Sequence, residues 1–311
     1  MSKVVLIGDG AVGSTFAYTL LVKGLVNELI IIDANREKAS GDVLDLNHGL
    51  MLAKPMRIRV GDYADCAGAD IIVIAAGAAQ RPGETRLDLM SRNVAIFDAI
   101  IKQVTTYNQT GILLIATNPV DILTQVALKL SGWPKNRVIG SGTLLDSSRF
   151  RYLVAERLRV DPRSVHGMVV GEHGDSEVLL WSSLVVAGIT PEAMPEGNRW
   201  HLSATDKEAI SADTKGAAYQ IIAKKGATFY AIALALSRIC EAILKDQRSV
   251  LPVSTYLDGY HGISGVCLGV PAVVGRSGVE EVVQVPLSQA EVEQISQSAA
   301  KLAEFLGSIG F

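Results

Sequence analysis

The sequence predicts an α/β protein: a doubly wound parallel sheet in the first half and a C-terminal α+β domain in the second. Three observations carry this. Strand-length, nearly all-apolar runs alternate with helix-length amphipathic stretches through residues 1–141. A glycine-rich turn, GDGAVG (8–13), joins the first apolar run to the first helical stretch. From residue 142 to residue 311 the pattern shifts to long helices and Gly-punctuated strands that follow one another directly, so the domain boundary is drawn there.

KVVLIG (3–8), ELIIID (28–33), ADIIVIAAG (69–77), GILLIAT (111–117) and RVIGSG (137–142) read as strands covered on both faces, because such runs leave no side for water. Helical stretches over 11–24, 36–52, 87–108 and 120–131 lie between them, which makes right-handed βαβ crossovers. The second half opens with a helix over about 145–159, followed by SVHGMVVGEHG (164–174) and a strand-like VLLWSSLVVAGI (178–189). Two long helices follow, over about 203–224 and 229–245. GISGVCLGVPAVVG and GVEEVVQVP look like antiparallel strands, and a last helix spans 288–306 with Ser288 as N-cap and Glu291 at the capping-box position.

With 29 basic and 32 acidic residues and no dense Lys/Arg block, a nucleic-acid-binding face is not expected. Cys66, Cys240 and Cys267 are far apart and form no CxxC pair, which argues against a disulfide framework or a structural zinc. They suit a reducing, cytoplasmic setting. A first strand at Lys3 predicts no signal peptide, and every apolar run falls short of the ~20 residues of a membrane span.

Gly8-x-Gly10-x-x-Gly13 follows a strand and opens a helix, and Asp33 closes the second strand 20 residues beyond Gly13. Glycines permit the tight turn and close approach to a pyrophosphate, whose charge meets the helix N-terminus. A carboxylate at 33 bonds the ribose hydroxyls and repels the extra phosphate of NADP, so NAD is the expected cofactor. Asp9 is discordant, an anion near the phosphates, and its side chain is expected to point away.

Four stretches carry the chemistry: GAAQRPGETRLD (77–88), TNPVD (117–121), LDSSRFR (145–151) and VGEHGDSE (170–177). Singly, each has an ordinary reading. Asp146 and Arg149, three apart, fit an ion pair on a solvated helix face; Arg86 fits a helix start and His173 a turn. Together, in this order and with the glycine motif, they resemble the lactate/malate dehydrogenase superfamily over essentially the whole chain, and most closely its bacterial lactate-type members.

That resemblance implies reversible NADH-dependent reduction of pyruvate to L-lactate. It makes His173 the acid–base that protonates the carbonyl oxygen and Asp146 the carboxylate that orients it. Arg149 grips the substrate carboxylate, and Arg86 polarises the carbonyl when its loop closes. Gln80, Asn118, Asp121 and Thr228 complete the substrate side. The cofactor side takes Gly8, Gly10, Val12, Gly13, Asp33, Lys38, Tyr63, Gly77, Ala78 and Asn118. Arg151 and His166 match a pair that binds fructose 1,6-bisphosphate as an effector in many bacterial members, and a homo-oligomer, most simply a tetramer, is implied. His48, His201 and His261 receive no catalytic role, and no metal is expected.

Three rival functions use related motifs. The malate branch carries an Arg at the loop position of Gln80, with Arg81 adjacent here, so substrate choice turns on which of the two points inward. NAD-dependent glycosidases need a metal-site Cys and His near the motifs, which this chain does not offer. A redox sensor that only binds NADH could dispense with His173 or Arg149, and both are present.

Overall fold

The apolar runs pair as their composition requires. In the computed structural model, which describes residues 2–78 and 86–311 with the side chains of Arg86 and Leu87 excepted, six strands form a parallel ladder. They are β1 (Lys3–Ile7), β2 (Glu28–Ile32), β3 (Arg57–Val60), β4 (Ile71–Ile74), β5 (Ile112–Ile115) and β6 (Val138–Gly140), in the spatial order β3-β2-β1-β4-β5-β6. Successive residues of a strand serve opposite faces. Val5, Ile7, Ile72 and Ile74 pack with Phe97 of α3 (Arg86–Tyr107) and Leu123 of α4 (Val120–Ser131). Val4, Leu6, Ile71 and Val73 pack instead with Phe16 and Leu20 of α1 (Ala11–Lys23). A strand buried on both faces can be apolar throughout, which is why these runs do not alternate.

The second half extends the same sheet. β11 (Ser249–Tyr260), β12 (Ile263–Gly275) and β13 (Gly278–Val282) add antiparallel strands, and β11 joins β6 through Ser254 opposite Gly140. α5 (Leu144–Leu158), α6 (Ala204–Lys225), α7 (Tyr230–Leu244) and α8 (Gln289–Ser308) cover it. Two short ribbons, β7 (Val165–His166) with β10 (Val185–Val186) and β8 (Val169–Val170) with β9 (Val178–Leu179), complete this half. The capping box of α8 forms as expected from Ser288 and Glu291.

Four details differ from the sequence reading. β3 was not expected, because RIRV alternates charged and apolar residues; it lies at the sheet edge, where its arginines pair with Glu28 and Asp65. β11 was not expected either, since Pro252 argues against an inner strand. It is tolerated because Pro252 faces Pro271 on β12 and β11 meets β6 only at Ser254. The 178–189 run is a strand only at its two ends, with a turn from Trp181 to Leu184 between. The 36–52 helix splits at Gly49 into α2 (Arg36–His48) and a 3-10 turn over Leu50–Leu52.

Strand order reverses between β1 and β4, and the glycine turn sits at that switch point. Gly8 has φ +103°, and a Cβ there would lie 2.3 Å from the backbone nitrogen of Ala76. A Cβ on Gly13 would lie 2.0 Å from the carbonyl oxygen of Gly8. Gly13→Ala should therefore cost about 1–3 kcal/mol of overpacking, read from a lower urea midpoint of unfolding. A midpoint equal to that of the natural chain would contradict this packing account.

Candidate active site

The glycine turn, Asp33, Gly77 and Asn118 follow the C-terminal ends of parallel strands β1, β2, β4 and β5. At the dinucleotide end, α1 starts at Gly10 with no side-chain cap and no acidic residue in its first turn. Its first N–H groups are therefore available to an anion, and a Cβ placed on Gly10 would meet nothing within 4 Å. Asp33 follows β2 and accepts from the backbone N–H of Asp9 at 2.6 Å and of Asn35 at 2.7 Å. Gly8 and Gly13 without room for side chains, an open anion cradle at Gly10 and a carboxylate after the second strand fit a dinucleotide. Asp9 itself is buried and accepts from Lys38 Nζ at 3.1 Å. Burial pushes its carboxyl up to about 6, against the pull of that lysine.

Across the switch point, Thr117 Oγ1 donates to the carbonyl of Ala76 at 2.8 Å and ties the end of β5 to the end of β4. Gly77 lies against Thr117, whose Cγ2 would be 2.4 Å from an added Cβ. Ala78 N–H donates to Asn93 Oδ1 at 2.8 Å, and Asn93 is buried. Sequence reading missed Asn93, because an asparagine inside a helical stretch gives no signal. Val12 and Tyr63 are half-buried near the glycine turn and the end of β3.

The catalytic candidates converge. Asp146, in the first turn of α5, is 1% exposed. Its Oδ1 accepts from Arg149 at 2.8 Å, and its Oδ2 lies 2.5 Å from His173 Nδ1. Both partners are largely shielded, so the Asp146–Arg149 pair does not belong to a solvated face. Burial opposes a charge on the His173 ring, but the Asp146 carboxylate outweighs it and raises the pKa to about 9. With Nδ1 committed to Asp146, Nε2 is the nitrogen left for chemistry.

Four elements hold the His173 loop. Gly171 exchanges two backbone hydrogen bonds with Gly269 of β12, at 2.9 and 3.0 Å. Glu172 N–H donates to Ser298 Oγ of α8 at 2.9 Å. His173 N–H donates to Asp121 Oδ2 of α4 at 2.7 Å, and Asp146 holds the ring from α5. The other oxygen of Asp121 accepts from Ser254 of β11 at 2.5 Å. Burial pushes the Asp121 carboxyl up to about 6, despite those two donors.

Glu177 and Ser254 were also missed by the sequence reading. Burial, reinforced by the Asp146 charge, pushes the Glu177 carboxyl up to about 8. Asn118 and Thr228 make no side-chain hydrogen bond among the described residues; Asn118 is exposed beside the cis Asn118–Pro119 bond, and Thr228 lies between α6 and α7. Gln80 and Arg81 lie outside the described residues, as does the side chain of Arg86. Arg151 and His166 line one cavity of about 600 Å³, together with Arg163 and Arg238. His201 and His261 bond to the carbonyls of Met194 and Val285, which are structural roles. Among the described residues no His, Cys, Asp and Glu group could hold a metal ion, and no helix is long and apolar enough to cross a membrane.

Comparison with known proteins gives concordant results. Residues 2–140 match the family described as lactate/malate dehydrogenase, NAD binding domain, and residues 143–308 match its alpha/beta C-terminal domain. The chain is 49% identical to the L-lactate dehydrogenase of Acetivibrio thermocellus over 306 residues, 98% of this chain and 96% of that protein. It is 48% identical to L-lactate dehydrogenase 1 of Clostridium acetobutylicum, covering 99% of this chain and 98% of that one. Among solved structures, the ligand-bound minor L-lactate dehydrogenase of Enterococcus mundtii superposes with a TM-score of 0.96 at 41% identity, covering 99% of this chain and 98% of that chain.

Because burial raises its pKa, Asp121 costs stability, from nothing below its ordinary 3.8 to the full amount above about 6. Ser254→Ala removes a donor that favours the charged form. The loss, about 1–3 kcal/mol, should be larger at about pH 8 than at about pH 5 in urea unfolding. Equal losses at both pH values would contradict this reading of Asp121.

Proposed function

This chain belongs to the lactate/malate dehydrogenase family, and from that premise we propose that it catalyses the reversible reduction of pyruvate to L-lactate. It is an NAD-dependent oxidoreductase. The single observation that carries the finer reading is the Asp146 carboxylate, bonded at once to His173 and to Arg149. We divide the work between a cofactor half, residues 1–141, and a substrate half, residues 142–311.

When bound, NADH supplies the hydride. His173, charged at neutral pH, gives the Nε2 proton to the carbonyl oxygen and takes it back in the reverse direction. Asp146 fixes the ring's orientation and balances its charge. Arg149 spends one N–H on Asp146 and keeps the remaining donors for the substrate carboxylate. Asp121 holds the backbone of the His173 loop beside the substrate, with Asn118 and Thr228 lining the pocket. Arg86 polarises the carbonyl, and Gln80 reads the substrate's methyl end. Asp33 and Lys38 serve the adenosine ribose, the glycine turn and Val12 the pyrophosphate, and Tyr63, Gly77, Ala78 and Asn118 the rest of the cofactor.

The rival is malate dehydrogenase chemistry. A neutral Gln80 gives a second substrate carboxylate no partner, which favours pyruvate. Gln80→Arg should raise kcat/KM for oxaloacetate relative to pyruvate by about tenfold or more, the worth of one charge-assisted hydrogen bond. The two rates, followed by NADH absorbance, decide it: an unchanged ratio means that Gln80 does not read the substrate.

The cationic cavity lined by Arg151, Arg163, His166 and Arg238 suits a sugar bisphosphate. We infer that fructose 1,6-bisphosphate activates the enzyme there. Exposed Tyr18, Val22, Tyr219, Ile222, Tyr230 and Leu234 support a homotetramer, which we place in the cytoplasm with the three buried free cysteines as support. Adding the bisphosphate should lower the pyruvate concentration for half-saturation, and Arg151→Gln should abolish the response. An unchanged half-saturation point in the natural chain would remove the effector site.

A further inference from the structure

Asp9 has no part in the chemistry above, yet it is buried within the phosphate-binding turn, where an anion opposes the ligand. Its side chain does point away from the turn, and the structure shows toward what. Oδ2 accepts from Lys38 Nζ at 3.1 Å, and the same ammonium donates to Asp42 at 2.6 Å. The backbone N–H of Asp9 donates to Asp33 Oδ2 at 2.6 Å, so a single residue links the lysine to the carboxylate after β2. Oδ1 of Asp9 is buried and has no hydrogen-bond partner among the described residues. A buried, half-bonded carboxylate is unfavourable on its own, so packing gives no reason for its presence.

We propose that Asp9 is a specificity-determining residue for the cofactor: it occupies Lys38 and so withholds from NADP the cation that its 2′ phosphate requires. The inference rests on the reading that Asp33 takes the adenosine ribose. NADP carries a phosphate dianion on the ribose 2′ oxygen and requires a cation there. Two cations open α2 just after Asp33: Arg36 is paired with Asp62, and Lys38 is paired with both Asp9 and Asp42. Asp33 alone excludes the phosphate by repulsion. Asp9 withholds the compensating charge, a device that acts against the wrong ligand rather than for the right one.

The test measures kcat/KM with NADPH and with NADH at fixed pyruvate, and the Kd of each by nucleotide fluorescence, for four variants. In Asp9→Asn the NADPH-to-NADH ratio should rise by about tenfold or more, the worth of one charge-assisted hydrogen bond. In Asp9→Asn/Lys38→Met it should return toward that of the natural chain, because the released ammonium is gone. Asp42→Asn, on the exposed side of the same lysine, should raise the ratio in the same direction and carries the test if Asp9→Asn does not fold. A flat ratio in the folded single variants, or a rise that survives loss of Lys38, overturns the proposal. Asp33→Ala separates the premise from the inference. Unchanged NADH binding there would overturn the ribose reading and the proposal with it. Weakened NADH binding alongside a flat ratio in Asp9→Asn would overturn the role of Asp9 alone.

Discussion

The carboxylate of Asp121 is the contact on which the site's geometry depends. One oxygen accepts from Ser254 on β11 and the other from the backbone N–H of His173. That buried group ties α4, which belongs to the parallel half, to both the antiparallel extension and the His173 loop. Ser254 is also the residue through which β11 pairs with β6. The place where the two halves share one sheet is thus the place where the histidine is fixed. Motion of one half relative to the other would shift His173 directly, and catalytic geometry tolerates little of that.

Around this anchor the charges are arranged asymmetrically. Asp146 sits within bonding distance of two cationic groups, His173 and Arg149, and lies almost wholly out of water. Coulomb attraction there exceeds the cost of burying the imidazolium, so the proton is held at neutral pH. Asp121 and Glu177 lean the other way, with burial favouring their neutral forms. Asp146 is the carboxylate that bonds the imidazole ring directly, while Asp121 holds the backbone of the same residue. At the dinucleotide end, Asp33 meets backbone donors, while Asp9 meets a lysine.

Much of this was legible in the sequence where local pattern and tertiary demand agree. The five all-apolar strands, the glycine turn and the α8 capping box each follow from a single local rule. The convergence of Asp146, Arg149 and His173 was legible only as a set, because each alone has an ordinary reading. What was not legible depends on contacts distant in sequence. β3 is charged because it lies at an edge, and β11 carries a proline that faces another proline on β12. Ser254 lies 133 residues from Asp121, and Asn93 is an amide inside a helix, so neither announces its role. The lactate-type assignment of Gln80 still rests on spacing within GAAQRPGETRLD, which lies mostly outside the described residues.

The central claim is that Asp146 keeps His173 protonated well above the ordinary histidine range. An NMR titration of the His173 imidazole, assigned by comparison with His173→Gln, tests it most directly. The account predicts a midpoint of about 9 in the natural chain, falling by more than about one unit in Asp146→Asn. A midpoint near the unperturbed value of about 6.5, or one that Asp146→Asn leaves in place, would contradict it.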